Sequence, residues 1–119
     1  FARHKRHAEG VRRAVRAWGL EILCQEPRHY SSVLTAVLLP EGHNADNLRK
    51  VALDRFDVSL GTGLSKVAGK VFRIGHLGDT NDLTIIATLA GVEMALGLAG
   101  VPHKPEGVRA AMTYFTETT

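Results

Sequence analysis

The apolar positions change period several times along the chain, and each change marks an element. Val11, Ala14, Val15 and Trp18 recur at i, i+3, i+4 and i+7, which predicts an amphipathic helix over 2–18, stopped by Gly19. LEILC at 20–24 reads as a short strand or a continuation toward the next one, and Pro27 breaks what precedes it. In SVLTAVLLP, 32–40, Val33, Thr35, Val37 and Leu39 alternate with Leu34, Ala36 and Leu38. Both faces are largely apolar, so this strand is expected at the centre of a sheet. After the Pro40-Glu41-Gly42 turn, Asn44 or Asp46 caps a helix reaching Arg55, with Leu48, Val51, Ala52 and Phe56 inward. DVSL at 57–60 reads as a short strand, GTGLSKVAG as a glycine-rich loop, and KVFRIG as a further strand. Asn81 or Asp82 caps a long buried helix over 82–99, closed by Gly100. Pro102 and Pro105 lead to a last helix, 105–116, with Val108, Ala111, Met112 and Phe115 at helical spacing. The order α–β–α–β–β–α–α lacks strict βαβ alternation. It implies an α+β fold: two layers, with an antiparallel or mixed sheet covered by helices.

Composition adds limits. A chain of 119 residues with 45% hydrophobic and 23% charged residues supports one domain with a modest core. No apolar run nears the roughly 20 residues of a membrane span. Cys24 is the only cysteine, so no internal disulfide can form and a reducing, cytoplasmic setting is expected. No signal peptide is legible. The net charge of +3 is uneven: residues 1–16 carry six Lys/Arg against Glu9, and the remainder nine against eleven. That basic segment falls on the wet side of the first helix without aromatic residues to stack bases, so a solvated face explains it better than nucleic-acid binding. The chain begins with Phe inside a helix with no capping residue, as a piece of a longer protein would.

One residue breaks the pattern with chemical consequence. In KVFRIGHLGD, 70–79, Arg73 sits within the apolar run, opposite in face to Phe72 and Ile74 and close to the strand end at Gly75. A guanidinium is always charged and forks onto a carboxylate. Burying it alone costs several kcal/mol, on the order of about 3–5 for an uncompensated charge, so an anion should meet it. That anion is either an internal carboxylate such as Asp79 or Asp57, or a ligand. Gly61, Gly63, Gly69, Gly75 and Gly78 crowd this region, as in a loop shaped around something. The spacing fits neither a Walker loop nor a dinucleotide fingerprint. His76 is read as a turn residue, Lys66 as an exposed loop lysine, and Ser31-Ser32 as lacking a base. His4 and His7 have no partners that would complete a metal site.

These residues carry a resemblance. The run G-x-G-L at Gly61–Leu64, a short gap, then G-K-V-F-R-I-G-H-x-G-D at Gly69–Asp79 resembles the C-terminal domain of class V aminotransferases. These are pyridoxal-phosphate (PLP) enzymes of fold type I, and the likeness is to the serine–glyoxylate, alanine–glyoxylate and serine–pyruvate group. It extends through RHKRHAEGVRRAVRAWGLE and YSSVLTAVLLPEG, hence over nearly all of the chain. The resemblance implies that Arg73 binds the substrate α-carboxylate, and that Gly61, Gly63 and Leu64 lie near the cleft mouth. It gives His76 and Asp79 no chemical role. It implies a leading helix, 1–19, and a body, 20–119, forming one small C-terminal domain. The large PLP-binding domain, with the aldimine lysine and the catalytic groups, would precede it. No catalytic, cofactor-binding or metal-binding residue is then expected in this chain, and the chain alone should be inactive. The parent would be a homodimer that uses PLP, a small amino acid and a keto acid, without nucleic acid or membrane partners. The alternative is a small anion-binding module without catalysis.

Overall fold

Helix ends set the positions of most elements. The computed structural model describes residues 2–23, 34–62, 69–75 and 81–118. Helix α1, Ala2–Trp18, ends where Gly19 adopts φ 82°: Gly19 N–H donates to Arg16 C=O at 2.9 Å and Leu20 N–H to Val15 C=O at 3.2 Å. This paired termination needs a left-handed residue, which glycine supplies without penalty. Helix α3, Asp82–Leu98, ends the same way at Gly100, φ 72°, with Val101 N–H on Leu96 C=O at 2.9 Å. It starts at an Asn81–Thr84 capping box. Helix α2, Ala45–Phe56, takes Asn44 as its cap, and α4, Gly107–Glu117, begins two residues later than its periodicity predicts.

Among the described residues four strands make one sheet: β1 Glu21–Ile22, β2 Leu34–Leu38, β3 Gly61–Thr62 and β4 Val71–Gly75. Their order is β1-β2-β4-β3 and all neighbours run antiparallel. The long apolar strand is central, as its pattern requires. The predicted strand over 57–60 is not there; pairing begins at Gly61, inside the stretch read as loop. The reason is local. Asp57 adopts φ 56° to end α2, and Val58 N–H is spent on Ala52 C=O at 3.1 Å, so neither residue is free to pair.

Among the described residues, the helices pack on one face of the sheet. Ile22, Val37, Leu39, Leu60, Phe72 and Ile74 join Val11, Val15, Trp18, Leu48, Leu89 and Leu96 in a single core. On the other face Ala36 and Leu38 remain partly exposed. Strand β2 is thus apolar on both sides but buried by helices on one. Val71 is buried yet lies outside that core. Met112, expected on the inner side of the last helix, is instead 48% exposed.

Candidate functional site

Register places Arg73 on the sheet face opposite the core. It pairs with Ala36 of β2 on one side and Gly61 of β3 on the other. Leu23 N–H donates to Ala36 C=O at 3.0 Å, which extends the row to Leu23, itself 46% exposed. Paired residues in an antiparallel sheet share a face, so Arg73 stands between two residues with almost no side chain. A Cβ on Gly61 would lie 3.2 Å from Arg73 Cβ and 3.7 Å from its Cδ. The glycine therefore leaves room for the arginine stem to lie across β3. Arg73 is half-buried, and among the described residues no carboxylate pairs with it. Asp57, one of the internal partners the sequence allowed, instead closes α2.

Gly63, Leu64, Lys66, His76 and Asp79 lie outside the described residues. Of the predicted constellation the structure therefore joins Arg73 and Gly61, and Gly75 ends the strand beside them. A groove of about 590 Å³, lined by Leu38 to Asn44, Gly69 and Lys70, lies toward the start of β4 and does not include Arg73. Lys5, Lys50, Lys70 and Lys104 are all exposed. Among the described residues no cluster of His, Cys, Asp or Glu could hold a metal ion, and no helix there is long and apolar enough to cross a membrane.

Two polar clusters behind the sheet escaped sequence reasoning. Arg6 forks onto Asp82, with Nη2 donating to Oδ2 at 3.0 Å, and also donates to Phe115 C=O at 2.7 Å and Thr118 Oγ1 at 2.8 Å. His7, 1% exposed, meets Asp82 Oδ1 through Nε2 at 3.0 Å, and its buried Nδ1 has no hydrogen-bond partner among the described residues. The Arg6 hydrogen bond holds the Asp82 carboxyl below its ordinary range, with His7 adding to the effect and desolvation opposing it. The same pairing raises Arg6. This cluster ties the start of α1 to the start of α3 and the end of α4. The second cluster is Trp18–Glu93, described below. The basic face of α1 is likewise accounted for within the fold. Glu9 accepts from Arg12 and Arg13, and the Arg13 guanidinium lies 4.4 Å from the Tyr114 ring centre.

Known proteins resemble the chain over almost its whole length. It is 49% identical over 118 residues to the serine–glyoxylate aminotransferase of Hyphomicrobium methylovorum, covering 98% of this chain and 29% of that protein. It is 45% identical over 120 residues to the L-aspartate–glyoxylate aminotransferase of Paracoccus denitrificans, covering 100% of this chain and 30% of that protein. The pyridoxamine–pyruvate aminotransferase of Mesorhizobium loti superposes with a TM-score of 0.91 at 32% identity, over 99% of this chain and 31% of that one. No family model matches the chain. The chain thus spans about 30% of the length of the curated relatives it matches. The antiparallel sheet and these likenesses agree: by sequence and by fold the chain corresponds to the C-terminal domain of class V aminotransferases of fold type I.

Proposed function

We propose that this chain is the substrate-carboxylate-binding domain of an aminotransferase that moves an amino group between a small amino acid, serine or alanine, and a keto acid, glyoxylate or pyruvate. The observation that carries the reading is Arg73, a permanent cation on the sheet face opposite the core, given room by Gly61 and unmatched by any described carboxylate. A fork of two N–H donors fixes both the distance and the plane of a carboxylate. Every α-amino acid and α-keto acid carries that group beside its reacting carbon, so one arginine can orient the donor and the acceptor in turn. Held this way, the reacting carbon keeps one face toward the chemistry, and orientation of this kind can contribute several kcal/mol, within the ~7–11 ascribed to positioning overall.

In the parent, PLP supplies the electron sink when bound. By the resemblance, its anchoring lysine and ring partners belong to the large domain. The 119-residue chain on its own is then a single small domain, inactive, with the large domain of the same polypeptide as its partner and a cytoplasmic homodimer as the parent. Leu64 and Gly63 would stand at the cleft mouth.

The test is Arg73→Ala in a parent enzyme containing this domain. Loss of one partner of a charged, hydrogen-bonded pair costs about 2–5 kcal/mol, or roughly 30- to 4,000-fold in kcat/KM. The cofactor's visible spectrum should not change. An unaltered kcat/KM for both amino and keto acids would remove Arg73 from the site.

A further inference from the structure

Helices α1 and α4 lie antiparallel. Arg6, near the start of α1, reaches Phe115 and Thr118 at the end of α4, and Trp18 C=O accepts from Lys104 N–H just before α4 begins. Between the two helices the small side chains of Ala17 and Ala110 leave a groove of about 340 Å³. That volume falls within the range of small-ligand sites, ~300–1,000 Å³. Arg13, Arg109, Thr113 and Tyr114 line it as well, and Glu106 stands toward the Trp18 end.

Two cations share this groove, and the fold leaves donors free on both. The Arg13 guanidinium is fixed from two sides: Nε donates to Glu9 Oε2 at 3.0 Å, and Cζ lies 4.4 Å from the Tyr114 ring centre. Its two Nη groups have no hydrogen bond among the described residues. Glu9 also serves Arg12 and Arg16, so it does not neutralise Arg13 by itself. Arg109 is exposed and makes no hydrogen bond or ion pair among the described residues. Like charges lining one groove repel, and an anion seated between them removes the repulsion. A guanidinium already held in place loses less freedom when it binds.

The donor set selects the anion. A phosphate monoester carries about −1.5 to −2 charges near neutral pH and three acceptor oxygens. The free Nη groups of Arg13, the fork of Arg109 and the Thr113 hydroxyl can serve all three. A carboxylate, with one charge and two oxygens, would leave one cation unmatched. A nucleic-acid strand would bring a second phosphate along the groove toward the Glu106 carboxylate. We propose that the α1–α4 groove binds the phosphate group of a small phosphomonoester, whose organic part lies along Ala17 and Ala110. Such a ligand would bridge α1 and α4 on the helix layer, whereas Arg73 stands on the sheet face opposite the core. This proposal does not depend on the role of Arg73.

The chain has its own core, so it can be tested as it stands. The 15N-labelled chain is titrated at constant ionic strength with glycerol 3-phosphate, inorganic phosphate, acetate and chloride. Concentrations run to about 20 mM, past the millimolar affinity expected of so small a ligand. Glycerol 3-phosphate should shift the amides of Ala17, Ala110, Thr113 and Tyr114 saturably, and bind more tightly than inorganic phosphate. Arg109→Gln should raise its Kd at least about tenfold, the effect of one lost charge-assisted hydrogen bond, with the circular dichroism spectrum unchanged. Arg73→Gln should leave that Kd as it was. Shifts that do not saturate, or that acetate and chloride reproduce, would mean a general ionic effect and overturn the site. Unchanged binding by Arg109→Gln, or loss of binding in Arg73→Gln, would place the phosphate elsewhere. Inorganic phosphate bound as tightly as glycerol 3-phosphate would overturn the monoester as ligand.

Discussion

Glu93 offers a sharp test of how the helices are held together. Its Oε1 accepts the Trp18 indole N–H at 2.7 Å and the Val108 backbone N–H at 3.3 Å. Glu106, at the N-cap of α4, makes no side-chain capping bond, so Glu93 caps α4 from a different helix. Trp18 is 1% exposed, and water cannot replace the lost acceptor without disturbing the core. In Glu93→Ala an unsatisfied buried donor costs about 1–3 kcal/mol and a lost helix cap about 0.5–2. The bond to Val108 is long, so its share belongs at the low end, giving about 2–4 kcal/mol from a total stability of about 5–15. At about 3–5 °C per kcal/mol for this size, Tm should fall by about 10 °C. Glu93→Gln keeps a carbonyl acceptor in place and should cost about 1 kcal/mol or less. Trp18 is the only tryptophan, so urea unfolding followed by its fluorescence reports on the site itself. A Glu93→Ala variant within about 0.5 kcal/mol of the parent sequence, the range of an ordinary surface change, would refute the reasoning. A Gln variant as damaged as the Ala variant would show that charge, not satisfaction of the indole, matters.

Other expectations follow from the same geometry. The Asp82 carboxyl is held below its ordinary value of 3.8, chiefly by Arg6, so its contribution is present above that pH and is lost as pH falls through the lowered value. Asp82→Asn should weaken the domain at neutral pH and flatten the stability loss on the acid side below about pH 4, as measured by urea midpoints against pH; an unchanged acid limb would remove Asp82 from that role. Gly10→Ala should destabilise despite its helical position, because the new Cβ would run into the Phe115 ring, whereas Gly97→Ala, with nothing within 4 Å, should stabilise the domain by up to about 1 kcal/mol. Equal signs for the two in thermal melts would contradict the packing described. Gly61→Val should lower kcat/KM of a parent enzyme at least about tenfold without loss of fold, since its side chain would occupy the path of the Arg73 stem; circular dichroism and steady-state kinetics check both halves.

The long-periodic elements were legible because their signals are local. Gly19 and Gly100 stop helices by their own left-handed backbone, Asn81 caps α3 with its own side chain, and the 3.6-residue stripe of α1 is set before any partner arrives. Arg73 was legible for the opposite reason: a permanent charge inside an apolar strand conflicts with burial and so announces a partner. What the sequence left open depended on residues far apart in the chain. Only the packing decided that the helices gather on one face of the sheet, leaving Ala36 and Arg73 on the other. Only the register set Gly61 beside Arg73, turning a residue read as loop into the strand that gives the arginine its room. Arg6 and His7 meet Asp82, and Trp18 meets Glu93, across some seventy-five residues of chain. In the sequence Glu93 only interrupts an apolar run. A charge interrupting an apolar run states that a partner is needed; which partner, and on which face, is fixed by three-dimensional proximity, and that is a property of the folded chain alone.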